Sequence, residues 1–404
     1  MKKVRILALC LALTACMTAC KPSPSHDPVT TDPTTEPTLT EPVTEPTVPN
    51  IEPVIENMYS VSLPVTTETY HAEDNSLLFT YTYQDISADF PDRDVAIKII
   101  DDFGGRMKQA HITATDILTE AEEYHKNSNM FEPFSYEIQY DVTRIDQGVL
   151  SLFGHIVQIS ETSPSTPGLI SLNYNMVTGD MLTLGSILYH ADTKDDLAAL
   201  VISHLESRDD LMLYDEFRRT VNARFQRDES IDEDFYFSAT GLCFYFAPYE
   251  IAPRSYGTVV VEIPYNKLTG IIDDAYFPAE RSFTNGALNI SPFHDADLES
   301  YHQFVEIVAA SDATKLLLTT DSAVQDIRIS ELIWAKDGMS YTQTKNIFAS
   351  NFLYKDNAIL LEADFDAYRP NYMLTYSIEG NTYVFYLTKD QTTGQVTLSS
   401  ASSF

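Results

Sequence analysis

Positive charge is scarce in this chain. Its 404 residues carry 26 Lys and Arg against 59 Asp and Glu, a formal net charge of −33. Nucleic-acid phosphates need Lys and Arg to release their counterions, so that partner is disfavoured, and an anionic lipid face is disfavoured with it. Cysteine is nearly missing as well: the 4 present show neither zinc-ligand spacing nor a disulfide framework. Cys243, within Leu242-Cys243-Phe244-Tyr245-Phe246, reads as a small buried hydrophobe. A bridge to Cys20 is the alternative left open. There is 1 Trp, but 24 Tyr and 21 Phe raise hydrophobic content to 44%, enough for a sizeable core, so wholesale disorder is excluded. The length allows two or three domains. Catalytic motifs are lacking too: no Gly-x-Ser-x-Gly elbow, Ser-x-x-Lys, His-Glu-x-x-His, Walker loop or dinucleotide fingerprint occurs. The nine histidines are scattered, so no catalytic residue, metal or cofactor is expected.

What is present begins with an address. Lys2, Lys3 and Arg5 precede an apolar run, Ile6 to Leu13, that is too short to span a membrane. Two overlapping sites follow, Leu13-Thr14-Ala15-Cys16 and Met17-Thr18-Ala19-Cys20. They resemble the lipobox of bacterial lipoproteins, in which the cysteine receives lipid and the peptide is cut before it. Leucine fits the motif better than methionine, so Cys16 is expected ahead of Cys20. Cleavage removes three positive charges and leaves the chain more acidic still. No later run reaches the ~18 apolar residues of a spanning helix, so lipid is expected to be the only anchor, on the outer face of the cell membrane.

Composition then divides the chain. Residues 1–20 read as signal peptide and 21–54 as linker, which holds nine prolines and Thr-Glu-Pro at 35–37, 40–42 and 44–46. Proline and spaced glutamate prevent collapse, and at ~3.1 Å per residue such a stalk reaches roughly 100 Å. Beyond it the pattern is α+β: antiparallel sheets with packed helices in a central head (55–165 and 166–280), plus a small, mostly-β C-terminal domain (290–404). Alternation predicts strands at Val61 to Leu63, Leu77 to Ile86, Phe134 to Ile145, Val149 to Ser160 and a pair around Thr178-Gly179-Asp180. It adds Phe235 to Phe246, with a turn at Ala239 to Gly241, and Thr258 to Ile263. Helical spacing predicts Asp94 to His125, capped by Asp92 or Asp94, with a kink at Gly104-Gly105. Further helices are predicted at Thr193 to Glu206, Leu211 to Gln226 and Leu298 to Ala310. C-terminal strands are predicted at Ile327 to Trp334, Ile359 to Phe365, Leu374 to Ile378 and Tyr383 to Leu387.

The run Phe237-Ser238-Ala239-Thr240-Gly241-Leu242-Cys243-Phe244-Tyr245-Phe246-Ala247-Pro248-Tyr249-Glu250-Ile251-Ala252-Pro253, continuing to Pro264-Tyr265, resembles the hallmark of the domain of unknown function 3298. Leu172 to Leu184 looks like that family's Thr-Gly turn, and Tyr59 to Ser160 is similar to the deacetylase-associated domain that usually precedes it. Relatives include RsiV-like anti-sigma factors whose extracytoplasmic part binds lysozyme. The resemblance therefore implies a cell-surface sensing or binding head. Ser163-Pro164-Ser165-Thr166-Pro167-Gly168 departs from the family's usual turn at that point.

Within that run, Pro248 and Pro253 force a turn on leaving a strand. Tyr249, Glu250 and Tyr256 are the candidate binding residues, although Tyr249 is expected to pack inward and bond its hydroxyl to backbone. The acidic clusters Asp232-Glu233-Asp234, Asp273-Asp274 and His294 to Glu299 read as solvated faces or a helix start, and Asp364-Phe365-Asp366 as edge-strand charge. The reading is a non-enzymatic, lipid-anchored surface protein that recognises a cationic protein such as lysozyme, because complementary fields speed encounter. The alternative is a peptidoglycan-binding or wall-remodelling accessory, and acidity that merely keeps the protein soluble explains the charge equally well.

Overall fold

The computed structural model describes residues 58–400 apart from 129, 161–167, 227–233, 280–286, 295–296, 298–299, 302, 311–312, 336–339 and 379. The expected signal, linker, Cys16, Cys20 and most of the Ser163 to Gly168 turn lie outside the described residues.

Three apolar cores organise the described chain. The first joins β1 (Ser60–Ser62), β2 (Val65–His71), β3 (Leu77–Gln84), β4 (Ser87–Asp89), helix α1 (Arg93–Asn127), β5 (Phe134–Ile145), β6 (Val149–Ile159) and β7 (Gly168–Asn175). Asp92 starts α1 by accepting the backbone N–H groups of Asp94 and Val95, which satisfies two donors that have no partner within the helix. Val95, Ile99, Phe103, Met107, Ala110, Ala114, Ile117 and Ala121 recur at helical spacing and form the buried stripe. The helix continues through Gly104 and Gly105. It lies on a five-stranded sheet of order β2-β3-β5-β6-β7 and makes the crossover between parallel β3 and β5. The Thr178 turn closes with Gly179 at φ 72°, and its second arm is a single bridge, Tyr174 to Met181, instead of a strand.

The second core packs α2 (Leu184–Ile187), α3 (Thr193–Glu206) and α4 (Phe217–Gln226) on a three-stranded sheet of β8 (Phe235–Phe237), β9 (Gly241–Phe246) and β10 (Val259–Pro264). Helix α4 is shorter than its periodicity suggests. Residues 211–214 stay outside the helix, and the Tyr214 N–H donates to the Ile251 carbonyl at 2.9 Å. All six residues of β9 are buried, Cys243 among them as a free thiol, and burial pushes that thiol up to about 11.

The third core is all β: β11 (Leu288–Pro292), β12 (Gln303–Val308), β13 (Thr314–Thr320), β14 (Ala323–Trp334), β15 (Tyr341–Tyr354), β16 (Asn357–Ala363), β17 (Tyr372–Ile378), β18 (Asn381–Lys389) and β19 (Val396–Ser400). A four-stranded sheet, β11-β13-β16-β12, shares one core with a seven-stranded sheet, β19-β18-β17-β14-β15-β1-β4. Strands β1 and β4 thus extend a sheet otherwise made by the C-terminal part, and Ser60 to Ser62 pair with Phe348 to Ser350. Of the helix expected at Leu298 to Ala310, Gln303–Val308 form β12 instead, and residues 298, 299 and 302 lie outside the described residues. There Val305 and Ile307 face inward and Glu306 and Val308 outward, a period of two, with parallel β16 satisfying the backbone.

Segment 142–146, at the end of β5, ties these cores together. Arg144, 3% exposed, places Nε 2.7 Å from Asp146 Oδ2. Its Nη1 donates to the Tyr265 hydroxyl at 2.7 Å and the Tyr276 carbonyl at 2.6 Å, and the guanidinium lies over the Phe237 and Tyr265 rings. From the other side, Arg328 of β14 donates to the carbonyls of Val142 and Thr143. Removing one member of a buried ion pair strands the other, so Arg144→Ala is expected to cost about 3–5 kcal/mol. A lowered urea midpoint with an unchanged m-value would show this; an unchanged midpoint would refute the hub role.

Candidate functional site

Strand β9 leaves its sheet at Ala247 and returns as β10 at Val259. Between them the chain makes a tight turn, in which the Glu250 N–H donates to the Ala247 carbonyl at 3.0 Å. Glu250 Oε2 also accepts the Ala247 N–H at 2.9 Å, so one residue closes the turn twice. Pro248 stands at the second position, where its fixed φ suits types I and II. Tyr249 stands at the third with φ 71°, a type II geometry normally reserved for glycine or asparagine. Holding a tyrosine there costs on the order of 1–3 kcal/mol, and such outliers cluster at functional sites.

Tyr249 is 62% exposed. The inward-packing expectation is therefore corrected: the positive φ turns the side chain out of the fold, and no hydrogen bond of its hydroxyl is seen among the described residues. Tyr256, at the end of a short 3-10 turn of Arg254–Tyr256, is 38% exposed. The Tyr214 to Ile251 bond lays segment 208–216 beside this loop, adding the exposed Met212 and Tyr214. Tyrosine and methionine are enriched where proteins meet partners. Acidic Asp209, Asp215 and Glu216 are exposed on the same segment. Arg208, by contrast, is held in a bidentate pair with Asp210 at 2.7 Å for both contacts, which keeps the Asp210 carboxyl below its usual range.

Beneath the turn lies a support that the sequence did not single out. Arg224 of α4 makes two 2.6 Å contacts to Asp234, donates to the Tyr245 carbonyl at 2.7 Å, and reaches Glu250 Oε1 at 3.4 Å. Its guanidinium sits 4.8 Å from the Phe246 ring centroid. Asp234 is thereby an ion-pair partner instead of a solvated charge, whereas Asp232 and Glu233 lie outside the described residues. A basic residue late on an amphipathic helix reads as surface, so only the fold reveals this contact.

The other acidic groups serve the backbone. Asp273 caps a short turn through the Ala275 N–H. Asp366 lies beyond the end of β16 and accepts the Tyr368 and Arg369 N–H groups, which corrects the strand-face reading. Asp297 accepts the His294 N–H. Among the described residues no group of three or more His, Cys, Asp or Glu side chains is arranged to hold a metal ion.

Residues 187–266 match the family described as protein of unknown function (DUF3298), and this stretch contains the whole β9–β10 loop. Two solved structures are similar to the chain. A member of the DUF3298 family from Bacteroides fragilis is 16% identical with a TM-score of 0.40, covering 53% of this chain and 94% of that one. A DUF3298 family protein from Pseudomonas aeruginosa is 18% identical with a TM-score of 0.36, covering 55% and 97%. None of the curated proteins matches the chain.

Glycine at position 249 would relieve the backbone strain and remove little packing. Tyr249→Gly should therefore raise stability by about 1 kcal/mol, an outcome opposite to the usual effect of losing a large side chain. Loss of stability on urea unfolding would show instead that the ring packs.

Proposed function

We propose that this chain is a non-enzymatic binding protein of the bacterial cell surface, lipid-anchored through Cys16 or Cys20, that takes a cationic protein such as lysozyme. One observation carries the reading: Tyr249 is held outward in a strained turn by Pro248, Glu250 and the buried Arg224. A fold that only needed to close β9 to β10 would use glycine there. A rigid aromatic of this kind binds at low entropic cost, since few rotamers freeze on contact. Tyr256, Tyr214 and Met212 supply the surrounding contact area, and exposed Asp209, Asp215 and Glu216 supply charge opposite to that of a basic partner. The Pro/Thr/Glu-rich stretch would act as a stalk that carries the head away from the membrane.

The rival reading takes the same exposed tyrosines as stacking platforms for peptidoglycan sugars. Salt separates the two. Charge-assisted capture should weaken steeply as ionic strength rises from about 20 mM to about 150 mM, where the Debye length falls to about 8 Å. Binding to a C-type lysozyme, followed by calorimetry, is expected to be salt-sensitive and to fall at least tenfold in Tyr249→Ala. Absence of lysozyme binding at low salt, together with salt-independent retention on purified peptidoglycan, would favour the rival.

A further inference from the structure

A second feature lies away from the Tyr249 patch, in the first core, where the edge strand β2 runs beside helix α1. A crevice of about 80 Å³ is lined there by Glu68 and Tyr70 of β2, Tyr81 of β3, and His111, Thr115 and Leu118 of α1, among others. Strand β2 shifts register against β3 between Tyr70 and His71, an irregularity of the kind that re-aims side chains and gathers beside functional sites. His111 closes the helix side, meeting the Tyr81 and Tyr83 rings edge-on at centroid distances of 5.3 and 4.7 Å.

Two polar groups of this crevice are left incomplete. Glu68 accepts the Tyr70 hydroxyl at Oε2 and the Tyr83 hydroxyl at Oε1, the second at 3.2 Å. Both donors are neutral, so they fix the carboxylate without cancelling its charge, and each oxygen keeps a lone pair. Glu68 makes no ion pair among the described residues, and no Lys or Arg lines the crevice. Tyr81 stands directly opposite Glu68 in the β2–β3 register. It is 2% exposed, and its hydroxyl has no hydrogen-bond partner among the described residues. A buried hydroxyl without a partner is costly, and native folds rarely leave one without a reason. Size and sign then select the ligand. The volume is far below the ~300 Å³ at which pockets for whole ligands begin, so the crevice takes one functional group and not a sugar ring. An unopposed carboxylate repels an anion, and a metal cation needs more free oxygens than these two side chains offer. A primary ammonium has N–H groups for the remaining Glu68 lone pairs and for the Tyr81 oxygen, while the ring of Tyr70 and the side chain of Leu118 border its methylene stem. A quaternary ammonium has no N–H to give.

We propose that this crevice receives a primary ammonium on an alkyl stem, the group that ends a lysine side chain, with the Glu68 carboxylate and the Tyr81 hydroxyl as its partners. The site shares no residue with the Tyr249 surface and stands or falls separately from it. The test titrates the full chain, ¹³C-labelled at tyrosine, with butylammonium, butanol, acetate and tetramethylammonium while following the Tyr70, Tyr81 and Tyr83 ring resonances by NMR. Butylammonium is expected to shift them saturably, butanol and tetramethylammonium at least tenfold more weakly, and acetate not at all. Glu68→Gln, which keeps the shape of the side chain and removes its charge, should weaken butylammonium at least tenfold. If Glu68→Gln also lowers the unfolding midpoint, the order of the four probes on the unaltered chain decides alone. Tighter binding of Nα-acetyl-lysine methylamide than of butylammonium would assign the ammonium to a protein side chain, and weaker binding to a free amine; both outcomes support the site. No saturable shift with butylammonium up to tens of millimolar, equal binding of butanol, or full binding in a stably folded Glu68→Gln overturns the proposal. Preference for tetramethylammonium overturns the ligand class.

Discussion

The buried guanidinium of Arg144 is the contact on which the arrangement of this molecule depends. It rises from β5 in the first core and ends against Tyr265, Tyr276 and Phe237 of the second. Without Asp146 such a charge would be intolerable in the interior, and without Arg144 the carboxylate would be equally so. The bulge at Thr143 has a second consequence. It leaves two carbonyls turned toward β14, and Arg328 of the third core takes them. One irregular stretch of a single strand therefore makes polar contacts to two neighbouring cores at once.

Arg224 repeats the device on a smaller scale. It fixes Asp234, the Tyr245 carbonyl and Glu250, and through Glu250 it supports a turn whose conformation disfavours the residue it holds. Strain of this sort persists only where the surroundings over-determine it. The loop is consequently an anchored platform for Tyr249, held by its own Pro248 and Glu250 and, beneath them, by the buried Arg224.

These contacts also bear on charge. A chain with 26 basic residues spends several arginines inside, on Asp146, on Asp234 and on backbone carbonyls. The exterior keeps the acidic excess of the chain, because the buried charges Arg144, Asp146, Arg224 and Glu362 cancel, and beside Tyr249 Arg208, Arg218 and Arg219 are paired to Asp210, Glu206 and Glu216. The field a partner meets is that of the acidic excess.

Local order was determined by the sequence alone, because it depends on neighbours three or four residues away or on simple alternation. Asp92 followed by the stripe from Val95 to Ala121 specifies α1 and its start, and Phe134 to Ile145 and Thr193 to Glu206 form as their periodicity dictates. The acidic balance, the proline-rich stretch and the proline-flanked turn at Tyr249 are legible for the same reason. Elements whose hydrogen bonds come from far away were not legible: Tyr214 leaves the helical pattern for the Ile251 carbonyl, and Gln303 to Val308 become a strand by pairing with β16. The pairing of β1 with β15 lies beyond any local signal. Only the tertiary structure decided that Arg144, Arg224 and Arg328 turn inward, since an arginine's burial depends on the acceptors that distant segments bring to it. The positive φ that turns Tyr249 outward was decided there too, because nothing in Pro-Tyr-Glu reveals the guanidinium that holds the turn closed.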